Sequence, residues 1–127
     1  MLLLDENITV PAAKQLRRWR IPVRSITDHC AARGTADADL VPILHRLAQP
    51  TFFTHDWDFW APELCHPGYC IVHLAMEDTE AADYIRRFLG HPKFDTIAKR
   101  LGKVVQARQT GLSVYGSRHG KAETLDR

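Results

Sequence analysis

The sequence predicts an α/β domain: a mainly parallel central sheet, helices on both of its faces, and a C-terminal β-hairpin. Three observations predict it. Short apolar runs alternate with helix-period segments through the first two thirds of the chain. Two of these runs, Met1-Leu-Leu-Leu4 and Thr51-Phe-Phe-Thr54, end abruptly in acids, at Asp5-Glu6 and at His55-Asp56-Trp57-Asp58. An apolar run without alternation marks a strand buried on both faces, as the strands of a parallel sheet are. Finally, two β-rich segments flank Gly111 near the end of the chain.

Each element has its own local reason. Residues 1–4 form the first strand. Pro11 falls where a first helical turn tolerates proline, and the helix continues over 12–19. Ile8, Ala12, Leu16 and Trp19 share one face of it, with Lys14, Arg17 and Arg18 mostly opposite. Residues 21–26 form a second strand. Thr35 suits the N-cap of a helix over 36–48 that turns Leu40, Ile43, Leu44 and Leu47 inward. Residues 51–54 are the third strand, 56–60 begin a turn of helix, and 69–74 are the fourth strand. A long helix over 79–90 is stopped by Gly90 and Pro92, and a short one follows over 94–101. Residues 104–108 and 112–115 make the hairpin. The domain spans 1–116, and 117–127 is a polar, frayed tail. There is no internal repeat or linker.

Composition narrows the class. A chain of 127 residues, 45% hydrophobic and 25% charged, suits one domain with its own core. No apolar run approaches the roughly 18–20 residues of a membrane span. The N-terminus lacks the basic flank of a signal peptide, so the expectation is a cytoplasmic protein with no membrane partner. Three cysteines, odd in number and irregularly spaced, fit reduced thiols. The net charge is only +2, yet Lys14, Arg17, Arg18, Arg20 and Arg24 form a basic block without an acid among them. The acids gather instead at Asp5/Glu6, Asp37/Asp39, Asp56/Asp58 and 77–83. Acids at strand ends with basic elements around them suit a polyanionic substrate and metal chemistry.

On a parallel sheet the acids converge. Asp5 ends the first strand, Asp37 and Asp39 open the helix after the second, and Asp56 and Asp58 follow the third. These places share the carboxyl edge of the sheet, where α/β proteins bind ligands. Clustered carboxylates repel one another, and hard Mg²⁺ or Mn²⁺ is their natural occupant. Asp37 and Asp39 are two residues apart on a helix and so face different ways; neighbours Asp5 and Glu6 likewise point apart, favouring Asp5. Thr54 is placed to steady a ligand by a hydrogen bond. The competing explanation for each acid taken singly is helix capping or dipole complementation.

The phrases Leu-Leu-Leu-Asp-Glu-Asn, Arg33-Gly34-Thr35-Ala36-Asp37-Ala38-Asp39-Leu40 and Phe53-Thr54-His55-Asp56-Trp57-Asp58-Phe59 resemble PIN-like domains, in particular short bacterial members opening L-L-D-E-N and carrying T-x-D-x-D-F. The likeness spans roughly residues 1–75 and includes the block from Pro67 to Val72. It implies a three-layer α/β/α PIN-like fold and a metal-dependent ribonuclease, related to toxins of type II toxin–antitoxin modules. Carried over by position, Asp5, Asp37, Asp56 and Asp58 would be the catalytic, metal-binding quartet, with Glu6 and Asp39 as substitutes. Mg²⁺ or Mn²⁺ would be the cofactor, RNA the substrate, and an antitoxin protein and a second copy of the chain the partners. Arg17, Arg18, Arg20 and Arg24 are candidates for RNA phosphate contacts. The chain departs from the pattern at 8–11, one residue longer than usual, and at His55 and Trp57.

Other readings compete. A PIN-like module that binds RNA or protein with little turnover would carry the same fold and acids. A phosphoacceptor receiver would show a lysine after a later strand, where this chain has Ala75-Met76-Glu77; a haloacid-dehalogenase-type phosphatase would not have Trp60 two residues after Asp58. A zinc site from His55, Cys65, His66, Cys70 and His73 has permissive spacing but no second cysteine pair. Trp57 and Trp60 either stack a base or pack beneath the site, and packing is the expectation.

Overall fold

The computed structural model describes residues 1–29 and 34–126, without the side chains of His29 and Asp37. In chain order the elements are β1 (Leu2–Leu4), α1 (Val10–Arg18), β2 (Val23–Ser25), α2 (Ile26–His29), α3 (Asp37–Arg46), β3 (Thr51–Thr54) and β4 (Cys70–Leu74). There follow α4 (Asp78–Gly90), α5 (Ile97–Arg100), β5 (Val104–Arg108), β6 (Gly111–Tyr115) and β7 (Glu123–Leu125). Two 3₁₀ turns, Trp57–Phe59 and Pro62–Leu64, lie between β3 and β4.

The strands form one sheet in the order β2-β1-β3-β4-β5-β6-β7. The first five pair in parallel, and β5–β6–β7 are antiparallel. The winding direction reverses between β1 and β3. From β1 the chain crosses to β2 on one side; after β2 it returns over β1 to β3 and then moves steadily the other way. Strand side chains alternate between faces. Leu4, Phe53, Val72 and Val105 meet Leu16 of α1 and Ile85 and Phe88 of α4. Leu3, Phe52, Ile71 and Val104 meet Leu40 and Leu44 of α3 and Phe59 of the first 3₁₀ turn. The result is an α/β/α sandwich with two cores, one on each side of the sheet, as the alternating pattern predicts.

Several local expectations change. Ala36, not Thr35, occupies the N-cap position of α3, and α3 ends at Arg46. The helix expected over 94–101 shrinks to α5, capped by the Thr96 hydroxyl. Phe94 is instead buried in the core, its ring 4.9 Å from that of Phe88. Within the tail expected to fray, residues 123–125 pair with β6. A hydrophobic period cannot reveal a strand that is largely exposed; Leu125 alone reaches the core, packing on the cluster beneath α1 and α4. That strand also explains Gly111. Its φ is +150°, and a Cβ there would stand 2.6 Å from the Leu125 carbonyl oxygen.

At the amino end of the interior strand β3, Arg100 is buried and donates to Thr51 Oγ1 and to the Phe94 carbonyl, each at 2.9 Å. Across the α1–α4 seam the Arg86 guanidinium lies 4.5 Å over the Trp19 ring. Among the described residues no helix is long and apolar enough to cross a membrane.

Phe53 is fully buried and meets Phe88 edge-on, with ring centroids 5.9 Å apart. Phe53→Ala is therefore expected to lower stability by about 3–5 kcal/mol, read as a reduced midpoint in urea unfolding.

Candidate functional site

Parallel strands β1 and β3 end side by side, and the backbone continues their ladder one step further: Asp5 N–H donates to the Phe53 carbonyl at 2.9 Å. Asp5 therefore emerges beside Thr54, at the point where the winding reverses. A crevice at the carboxyl edge is the geometric consequence of such a reversal.

The Thr54 hydroxyl is the hub. It donates to Asp5 Oδ2 at 2.6 Å and accepts the Asp56 N–H at 3.0 Å. One hydroxyl thus ties the acid after β1 to the acid after β3. Asn7 braces the same junction. Its amide nitrogen reaches Asp5 Oδ2 at 3.3 Å and Thr54 Oγ1 at 3.4 Å, and its oxygen accepts the His55 N–H at 3.2 Å. A backbone N–H can only donate, so the His55 bond fixes which end of the Asn7 amide faces the carboxylate.

Asp5 is only 5% exposed. Burial pushes its carboxyl above the ordinary aspartate value, against the opposing hydrogen bonds from Thr54 and the Glu6 N–H; the like charges of Glu6 and Asp56 push it further up. Asp56 is half-buried at the N-cap of the 3₁₀ turn, where Oδ1 accepts the Asp58 N–H at 2.9 Å. Asp58 is exposed on that turn. Glu6 turns to the loop before α3, both oxygens accepting the Gly34 N–H at 3.0–3.1 Å. Asp39 is exposed in the first turn of α3. The Asp37 side chain lies outside the described residues. Among the described residues no three His, Cys, Asp or Glu side chains are gathered as a metal-binding group.

A second acid that strand-end reasoning did not select belongs to this edge. Asp78 opens α4 and accepts both the N–H and the hydroxyl of Thr9, the N-cap residue of α1. One carboxylate therefore faces the positive ends of two helices. His55 Nε2 lies 3.1 Å from Asp78 Oδ1, while Nδ1 lies 3.1 Å from the Leu74 carbonyl. Burial opposes ionisation of Asp78, but the Thr9 and His55 hydrogen bonds outweigh it and hold the carboxyl below its ordinary value. The signal was in the sequence: Asp78 follows the fourth strand as Asp5 and Asp56 follow the first and third.

The aromatic residues divide. Trp60 packs against Tyr115 at 4.4 Å, as expected, but Trp57 is 64% exposed. Its indole rests on the ring of buried His73, 4.5 Å away. Of the basic candidates, Arg17 lines a cavity of about 330 Å³ with Glu6, Thr9, Ser25 and Asp28. Arg18 donates to Gln15, Arg20 closes α1 with a φ of 64°, and Arg24 is exposed on β2. Cysteine chemistry finds no support at Cys70, whose buried thiol is pushed up to about 12. Cys70 and His73 point to opposite faces of the sheet, as their spacing requires.

Two outcomes test this geometry. Thr54→Val strands the Asp56 N–H and removes a donor from buried Asp5, so it should cost about 1–3 kcal/mol, with Thr54→Ser recovering most of the loss in urea unfolding. The second concerns pH. Native Asp5 holds its proton more tightly than the unfolded chain does, so its contribution falls as pH rises from the ordinary aspartate range through the raised native value. Relative to Asp5→Asn, the wild type should therefore gain thermal stability as pH is lowered through that interval; parallel melting profiles would contradict the burial assigned to Asp5.

No family model, curated protein or solved structure matches this chain.

Proposed function

We propose that this protein is a metal-dependent ribonuclease that hydrolyses RNA phosphodiester bonds, and that it acts as the toxin of a type II toxin–antitoxin pair in the cytoplasm. The observation that carries the reading is the juxtaposition of Asp5 and Asp56 through one threonine hydroxyl at the winding reversal. Burial and like charge raise the cost of ionising Asp5. A hard divalent cation offsets that cost, and all donors here are oxygens, which suits Mg²⁺ or Mn²⁺. Asp5 and Asp56 would hold the ion, joined by Asp58 and, from the start of α3, Asp37. Such an ion, when bound, polarises the phosphodiester and eases deprotonation of water. The chain's own contribution is positional. Thr54 and Asn7 orient Asp5, while Arg17, which lines the neighbouring cavity, would meet a backbone phosphate. An antitoxin peptide and a second copy of the chain are the partners this reading entails.

A specific observation favours a second reading, a binding module with little turnover. Asp5 already accepts hydrogen bonds from Glu6, Asn7 and Thr54, the pattern of a carboxyl used as a structural clasp.

The deciding experiment is cleavage of a mixed pool of tRNA and synthetic RNA with Mg²⁺ or Mn²⁺, then with EDTA. Cleavage that needs metal and falls by at least about a hundredfold in Asp56→Asn, with the fold intact by circular dichroism, is the expected outcome. Equal cleavage by Asp56→Asn would remove this site, and no cleavage by folded wild type across metals would favour the binding module.

A further inference from the structure

Trp57 is not used by the proposed metal site, and its setting is unusual. A tryptophan placed only for packing would be buried, yet this one presents most of its surface to solvent from a 3₁₀ turn between Asp56 and Asp58. Its position is nevertheless defined, because the indole is seated on His73. That histidine is fully buried on β4, its Nδ1 meets Gln106 Nε2 at 3.2 Å, and its Nε2 has no partner at hydrogen-bond geometry among the described residues. Burial pushes the His73 imidazole down, with the His55 backbone opposing. Beside Trp57 lies a cleft of about 300 Å³, reaching His55, Met76, Glu77 and Asp78.

The chemistry of this cleft selects its occupant. One indole offers roughly 150–250 Å² of apolar surface, far short of the roughly 800 Å² per partner that a stable protein interface buries. It suits a single flat ring. The rim is carboxylate: Glu77 and Asp78 line the cleft opposite Trp57, and Glu77 is exposed. Carboxylates accept hydrogen bonds and repel phosphate, so the rim favours a ring bearing amino donors and directs the phosphates elsewhere. Stacking on an aromatic side chain is tolerant of which base is bound, and carboxylate acceptors add a preference for an exocyclic amino group.

We infer that the exposed face of Trp57 is a nucleobase subsite for single-stranded nucleic acid, selective for a base bearing an exocyclic amino group, such as adenine, over uracil. It rests on the nucleic-acid reading of the neighbouring acids, but not on their cleaving anything. Trp57 stacks the base, His73 positions the indole, and the rim carboxylates accept the amino group.

The test is fluorescence anisotropy of labelled hexa-adenylate, hexa-uridylate and an abasic hexamer, in EDTA, with wild type, Trp57→Leu and Trp57→Phe. Melting curves accompany each variant, and an exposed position should leave them unchanged. Expected are tighter binding of hexa-adenylate than of the other two, a loss of about tenfold in Trp57→Leu, and partial retention in Trp57→Phe. Equal affinity of wild type and Trp57→Leu, equal affinity for the adenylate and abasic strands, or no binding at all would overturn the inference. So would a change of oligomeric state in Trp57→Leu without a change in oligonucleotide affinity, which would make the indole a contact between copies. Trp57-dependent binding without cleavage would sink the nuclease reading and leave the subsite standing; cleavage indifferent to Trp57 would do the reverse.

Discussion

Two short strands, β1 and β3, are covered on both faces, and between them the chain changes the direction in which it winds. Everything at the carboxyl edge depends on that pairing. α1 leaves β1 toward one face and the 3₁₀ turn after β3 packs on the other, so neither closes over the gap between them and a crevice forms there without any side chain being spent on it. What the side chains add is polarity at the crevice floor. Leu4 and Phe53 are in register and buried, so the next residues, Asp5 and Thr54, emerge together by the geometry of the ladder. A slip of one residue between β1 and β3 would turn Leu3 and Leu4 to the wrong cores and separate Asp5 from Thr54 at once. Packing and site are specified by the same register.

The floor of the crevice is a balance of unlike requirements. Asp5 is buried, which disfavours its charge, yet it accepts three hydrogen bonds, which favour it. Asp78 also faces three donors but has the benefit of two helix N-termini, and its carboxyl is held low. The two acids therefore suit different tasks. Asp78 is satisfied by the protein and fastens α1 to α4. Asp5, buried beside Glu6 and Asp56, is the acid whose surroundings disfavour its charge.

How much of this was legible in the sequence follows from the physics of each signal. Apolar runs gave β1, β3 and β4 almost to the residue, because strands buried on both faces have no solvated positions to break the run. Asp5, Thr54 and Asp56 were legible as strand-end residues, and their contact follows from parallel pairing. Asn7 was not, since a single polar side chain in a loop carries no period; its role appears only when the loops after β1 and β3 are brought together. The Thr9–Asp78 clasp joins residues 69 positions apart, beyond any local pattern. Asp78 itself was within reach of the rule that selected Asp56, but three residues separate it from the end of β4, against one between β3 and Asp56. The α/β/α architecture was readable from alternation alone, whereas the finer PIN-like likeness rests on the quoted motifs.

The sheet ends at β7, a strand of three residues in which Glu123 and Thr124 are exposed. Its shortness limits backbone pairing at this edge. An incoming strand aligned on β7 would find only three residues of backbone to join, too few to template further growth of the sheet. Extension by edge-to-edge stacking, the route by which exposed β-structure turns into fibres, is thereby closed on this side. Residues 123–125 act as a stop placed on the ladder, presenting side chains where a longer strand would present bare backbone.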